Sequence, residues 1–225
     1  KNLKMQKIIR ISLKKKKIDN FESNLISAVY YLEREDFDRA LIYFRKLKNK
    51  SQPGSIQNLL SSSLNSWGDF KNINDLNSGL NLLDSIPKRF ENLKKIQKTF
   101  AYCYFESNQT DEAFRKLTSH SGANYSRYFF FHANYLIANN KEEKAKKILR
   151  SSLNSYPNNL ILNQLKVDIE KRKIFNNRFD CKDSSHVIAE ILYIVANGLA
   201  IQQNYIAANF YLNLAKHLNP NFISF

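Results

Sequence analysis

The feature that most constrains this chain is the pattern of small and apolar residues between Ala189 and Pro220. Leu192, Val195, Ala196 and Leu199 come first, then a polar turn at Gln203-Asn204, then Ala208, Leu212, Ala215 and Pro220. Leu192, Val195 and Leu199 stand at the i, i+3, i+7 spacing of one helical face, and Leu212 continues that apolar surface on the next helix. Ala196 and Ala208 mark the place where two antiparallel helices cross most closely, because a larger side chain at either would push the pair apart. A hairpin this small cannot bury its own apolar face, so it must stack on others, and the pattern should recur along the chain.

It does recur. Residues 1–17 carry Leu3, Ile8, Ile9, Ile11 and Leu13 among lysines and read as half a repeat. Residues 20–52 place Ala28 and Tyr31 on a first helix and Ala40, Phe44 and Leu47 on a second, with Arg34-Glu-Asp36 at the turn. Gln52-Pro-Gly-Ser55 then breaks the chain, Pro and Gly supplying the fixed and the permissive dihedrals of a tight connection. Residues 55–87 are a degenerate repeat with Leu59, Leu60, Leu64 and Trp67, then Leu76, Leu80 and Leu83, and with Gly79 in the slot that Ala40 filled before. Trp67 is expected to pack between repeats, and Pro87 to stand at a helix start.

The fourth unit, 90–121, has Ala101 and Tyr104, then Thr110 as a helix cap followed by Ala113 and Leu117. The fifth, 125–157, has Phe129, Ala133 and Leu136, then Ala145 and Leu149, and Asn140 to Glu143 has the spacing of a capping box. Ala113 and Ala145 are 32 residues apart, but Ala145 and Ala208 only 63. Residues 158–183 therefore read as an abbreviated repeat: one helix from Asn158 to about Arg172, then a polar linker. Ser184 or Ser185 caps the last repeat, 185–220.

Composition narrows the class. In 225 residues there are five Gly and four Pro, 43% of residues are hydrophobic, and no long apolar run is free of charge, which predicts an all-α chain without a membrane span. The net charge of +15 admits a polyanion partner. Lys greatly outnumbers Arg, however, and Asn, Ile, Phe and Tyr abound, which is the bias of an AT-rich coding sequence, whereas bidentate phosphate contacts favour Arg. Cys103, in an apolar helix, reads as a small buried hydrophobe and Cys181 as an exposed thiol in the linker, so no disulfide framework is expected.

The last hairpin resembles the tetratricopeptide repeat pattern W-x2-L-G-x2-Y, then A-x3-F, then P, with Leu192, Val195, Ala196 and Leu199 in the first four slots. The order of units, with Ala-Glu-Ile-Leu-Tyr-Ile-Val-Ala after an abbreviated repeat, is similar to tetratricopeptide-repeat proteins of alphaproteobacteria. The resemblance covers nearly the whole chain and implies a right-handed α-α superhelix of about five antiparallel hairpins without catalytic activity; 1–225 is expected to be one solenoid segment, both ends reading as cuts through a longer array. It also implies an exported, envelope-associated bacterial protein rather than a cytoplasmic one.

In such arrays the first helix of each hairpin lines the concave face. The corresponding positions are Leu25, Val29 and Leu32; Lys98, Tyr102 and Phe105; Phe130, Asn134 and Ile137; and Tyr193, Asn197 and Ile201. The last nine make the expected peptide-binding groove, aromatic rings supplying contact area and Asn134 and Asn197 supplying paired donors and acceptors for an extended backbone. Only Lys98 fits a carboxylate clamp, so binding of a chain-terminal carboxylate is not expected.

Chemistry beyond binding has no carrier. His120, His132, His186 and His217 are scattered singly, and no metal site, phosphate-cradling loop or nucleophile elbow is present, so no cofactor is expected and the chain reads as a non-enzyme. His132 stands on an apolar helix as a core histidine. The function expected is a scaffold that binds a peptide or protein segment in its groove; the alternative is a basic solenoid that binds RNA or another polyanion.

Overall fold

The computed structural model describes residues 18–119, 126–171 and 179–221, and these form eleven α-helices and no strand. They are α1 (Phe21–Leu32), α2 (Phe37–Asn49), α3 (Ile56–Asp69), α4 (Leu76–Leu83), α5 (Glu91–Tyr104), α6 (Thr110–Thr118), α7 (Ser126–Ala138), α8 (Glu142–Ser155), α9 (Leu160–Glu170), α10 (Ser184–Ile201) and α11 (Tyr205–Leu218). The expected half repeat at 1–17, His120 and the linker stretch 172–178 lie outside the described residues.

Local chemistry starts most of these helices. Asn20, Asp36, Ser55, Asp75, Asn159, Asp183 and Asn204 each accept a hydrogen bond from a backbone N–H in the first turn, satisfying an amide that has no partner within the helix. Three expected caps are corrected. Thr110 is the first residue of α6 and is buried, its Oγ1 donating to the Tyr102 and Ser107 carbonyls. Asn140 lies before the α8 cap, which is Lys141. Asp183 caps α10 where Ser184 or Ser185 was expected, because its carboxylate reaches the Ser185 amide at 2.7 Å.

Asn140 instead belongs to a turn used four times. Glu35, Glu106, Asn140 and Gln203 all have φ between 51° and 62°, and each ends the first helix of a hairpin. The next amide reaches back across the turn: Asp36 to the Tyr31 carbonyl, Ser107 to Tyr102, Lys141 to Leu136 and Asn204 to Leu199, all within 2.8–3.0 Å. These are Schellman closures, in which one left-handed residue lets the chain satisfy the last carbonyls of the helix. In three of the four, an alanine follows five residues later: Ala40, Ala145 and Ala208, all buried. In the fourth hairpin Ala113 is only half-buried, and Phe114 and Leu117 face the interior instead.

The pairs α1–α2, α5–α6, α7–α8 and α10–α11 pack side by side, and α2–α3, α4–α5, α6–α7 and α8–α9 join one pair to the next. Trp67 sits between units as expected, fully buried against Phe70 and Tyr104, and its indole N–H donates to Gln97 Oε1, whose amide in turn donates to Ser63 Oγ. Gly79 permits a close approach. A Cβ there would lie 2.5 Å from Phe105 Cε2.

The last hairpin departs from stacking on chain neighbours. Helix α10 packs on α3 and α11 on α1, across more than a hundred residues of sequence. His217 Nε2 lies 2.8 Å from Glu33 Oε2. Ahead of α10, Cys181 is disulfide-bonded to Cys103 of α5, with Cα atoms 5.9 Å apart. This corrects the expected free thiols: Cys181 is buried, because Phe179 beside it stacks on Phe131 and contacts Phe100, drawing the segment inward. Closing a loop of 78 residues stabilises the folded state by about 4 kcal/mol through the entropy removed from the unfolded chain.

Among the described residues α10 is the one helix long and apolar enough to cross a membrane, but 61% of it is buried in the protein. It is a core helix. Val187, Ile188, Ala189 and Leu192 are inaccessible to solvent.

Two substitutions test this packing in opposite directions. Gly79→Ala should destabilise by about 1–3 kcal/mol through overpacking against Phe105, and Gln203→Gly should stabilise by about 1 kcal/mol by relieving the left-handed backbone. Urea denaturation measures both, and an unchanged midpoint for Gly79→Ala would contradict the close approach.

Candidate functional site

Helix α10 carries Glu190 inside an otherwise apolar run, and the carboxylate is fully buried. A buried charge needs a partner, and Arg127 in the first turn of α7 supplies it. Its Nε donates to both carboxylate oxygens at 2.8 Å and its Nη2 to Oε2 at 2.6 Å. The guanidinium also lies over the Tyr193 ring at 4.3 Å and the Phe131 ring at 5.1 Å. Burial pulls the Arg127 pKa down, but the Glu190 charge outweighs it and holds the group above its ordinary value. The pair fixes the first turn of α7 against the middle of α10.

A cleft of about 490 Å³ opens beside it. One wall is the first turn of α7, with Ser126, Arg127 and Tyr128; another is the start of α9, with Asn158, Asn159, Leu160 and Ile161; the third is α10, with Glu190, Tyr193, Ile194 and Asn197. Leu160 is 79% exposed and Asn197 is exposed. An aromatic ring, an uncovered leucine and three amides therefore share one concavity. A second cleft of about 710 Å³ between α7, α8 and α9 is lined by residues of both signs, among them Glu142, Glu143, Asp168 and Lys146, Arg150, Lys166, together with Ile137.

The nine expected groove positions fall in separate surroundings. Tyr193 and Asn197 line the smaller cleft and Ile137 the larger one. Lys98 is held by Asp84 at 2.7 Å. Tyr102 is half-buried on α5, and Phe105 packs on Phe70 and Tyr104. Phe130 and Asn134 are buried within α7, the Asn134 amide without a hydrogen-bond partner. Ile201 is 83% exposed at the tip of the last hairpin, next to exposed Tyr205 and Ile206. Leu25, Val29 and Leu32 are buried in α1, which α11 covers.

Sequence reasoning missed Arg127, Glu190, Asn158, Asn159 and Leu160. For Glu190 a signal existed, since a lone carboxylate inside an apolar helix demands a cation; nothing local pointed to Arg127, 63 residues earlier.

His132 is a core histidine. It is stacked on Phe114, with ring centroids 5.1 Å apart, and its Nε2 lies 2.6 Å from Asp111 Oδ1. Burial lowers its pKa, and the Asp111 carboxylate only partly opposes this. Among the described residues no group of three or more His, Cys, Asp or Glu side chains is placed to hold a metal ion.

No family model matches the chain, and neither a curated protein nor a solved structure does.

Arg127→Ala should cost about 3–5 kcal/mol, because it leaves Glu190 buried and unpaired, while Arg127→Met with Glu190→Leu should restore most of that loss; urea melts of the single and double variants check both. His132 binds its proton more readily in the unfolded chain. Its contribution is therefore present above the ordinary histidine range and is lost as pH falls through and below it, by at most about 1.4 kcal/mol per pH unit. Stability measured from pH 7.5 to 5 should fall less steeply in His132→Asn than in the parent.

Proposed function

We propose that the chain is a tetratricopeptide-like helical-repeat scaffold, its hairpins stacked with a right-handed superhelical sense, that binds an extended peptide segment of a protein partner. The reading assigns it no catalytic step. The observation that carries it is the smaller cleft, where Tyr193, Leu160, Asn158, Asn159 and Asn197 converge. An extended peptide presents alternating N–H and C=O groups; the amides of Asn158 and Asn197 offer both a donor and an acceptor to meet them, while Asn159, whose Oδ1 caps α9, offers its N–H donors. Leu160, 79% exposed, adds apolar contact area beside the buried Tyr193 ring, and the cleft has the size of a typical ligand site.

This reading moves the binding site from a continuous concave groove to the junction of α7, α9 and α10. The face of α1 and α3 is taken up by the last hairpin. The polyanion alternative rests on the net charge of +15, of which residues 1–17 hold eight Lys and Arg and no carboxylate.

Selection from a displayed peptide library, followed by titration, tests the proposal. Asn197→Ala and Leu160→Ser, both at exposed positions, should each weaken a selected peptide at least about fivefold, the loss of one contact of about 1 kcal/mol, with the melting temperature unchanged. Raising salt from 50 to 200 mM should alter that affinity by less than about threefold, whereas a polyanion held by several phosphate contacts would lose about a thousandfold. Tight, strongly salt-dependent binding of a mixed RNA pool, with no peptide selected, would overturn it.

A further inference from the structure

We propose that the Cys103–Cys181 bond is an oxidation-dependent lock: it forms in an oxidising compartment by exchange with a disulfide-bearing oxidant, and it keeps the last hairpin seated. Four observations support this. The bond joins α5 to the stretch 179–183 ahead of α10, at the point where the chain turns back onto α3. That stretch is ordered by its own contacts: the Asp180 amide donates to His186 Nδ1 at 3.0 Å, the Lys182 amide to Asp180 Oδ1 at 2.9 Å, and Lys182 pairs with Glu106 of the facing turn. Phe179 is stacked on Phe131, with centroids 4.0 Å apart, so Cys181 is brought to Cys103 by packing that needs no covalent bond. Both cysteines are buried once the fold is complete.

The chemistry follows from that placement. In the partly docked chain the Cys181 thiolate attacks one sulfur of the oxidant's disulfide, expelling the other as a thiolate. The Cys103 thiolate then attacks Cys181 Sγ and expels the oxidant's remaining sulfur. The two electrons lost by the cysteines reduce the oxidant to its dithiol, which takes up the two protons. Exchange needs an exposed sulfur, so burial of the finished bond shields it from dithiols, and a bond formed and kept in this way belongs to a compartment that is not thiol-reducing.

The test compares oxidised protein with protein refolded in a dithiol reductant, alongside Cys103→Ala, Cys181→Ala and the double variant. Oxidised protein should show no free thiol in denaturant, and two after reduction. The melting temperature should fall by about 10 °C in the reduced parent, and each single variant and the double variant should fall by the same amount. Cleavage by trypsin after Lys182 should accelerate in parallel. Two free thiols in protein recovered from an oxidising compartment would overturn the lock. So would equal melting temperatures of oxidised and reduced parent, or single-variant losses that add in the double variant, since these would leave the cysteines a packing role alone.

Discussion

A carboxylate in the middle of an apolar helix has to find a cation, and that requirement sets where α10 lies. Glu190 is fully buried, and Arg127 is the group that meets it, with three donor contacts of 2.6–2.8 Å. With the pair made, α10 is held to the start of α7, and its apolar faces are free to fill the space against α3. A pair of this kind contributes little net stability compared with well-packed apolar residues of the same shape. Its consequence is one of position: any seating of α10 that separates the two charges leaves one of them buried alone.

Other contacts act on the same hairpin from its two ends. The disulfide and the Phe179 stack hold the chain ahead of α10 to α5 and α7, and the contact of His217 with Glu33 lies at the far end of α11. Tyr211, between them on α11, is buried near Glu22 of α1, and the two effects together push its pKa up to about 12. The molecule is thus a series of hairpins whose last member is folded onto its first two. The apolar face of α1 and α3 is used internally, and among the described residues the clefts that stay open lie around α7 and α9, the smaller bounded by α10 and the larger by α8.

What was legible in the sequence was local. The 3.6-residue period marked the helices, the alanines at 40, 145 and 208 are buried as small-residue positions should be, and Gly79 stands at a close approach, because each of these requirements is met within one or two adjoining helices. The caps were read less well. Thr110 and Asn140 are good cap residues by type, but the packing of Thr110 and the left-handed backbone that Asn tolerates at 140 placed both elsewhere. The pairing of Cys103 with Cys181, of Arg127 with Glu190 and of α10 with α3 spans from 63 to more than a hundred residues. Periodicity is blind at that range, so the cleft that these pairings create was visible only as two of its members, Tyr193 and Asn197.

The central claim is that α10 and α3 belong to one cooperative body. Native-state hydrogen exchange in low denaturant measures it directly, through the opening free energies of the amides of Leu60 and Leu64 on α3 and of Leu192 and Val195 on α10. The account predicts that these four amides open together, at the free energy of global unfolding. Exchange of Leu192 and Val195 at a markedly lower free energy, with Leu60 and Leu64 unaffected, is what a terminal hairpin stacked only on its neighbour would give, and it would contradict the account.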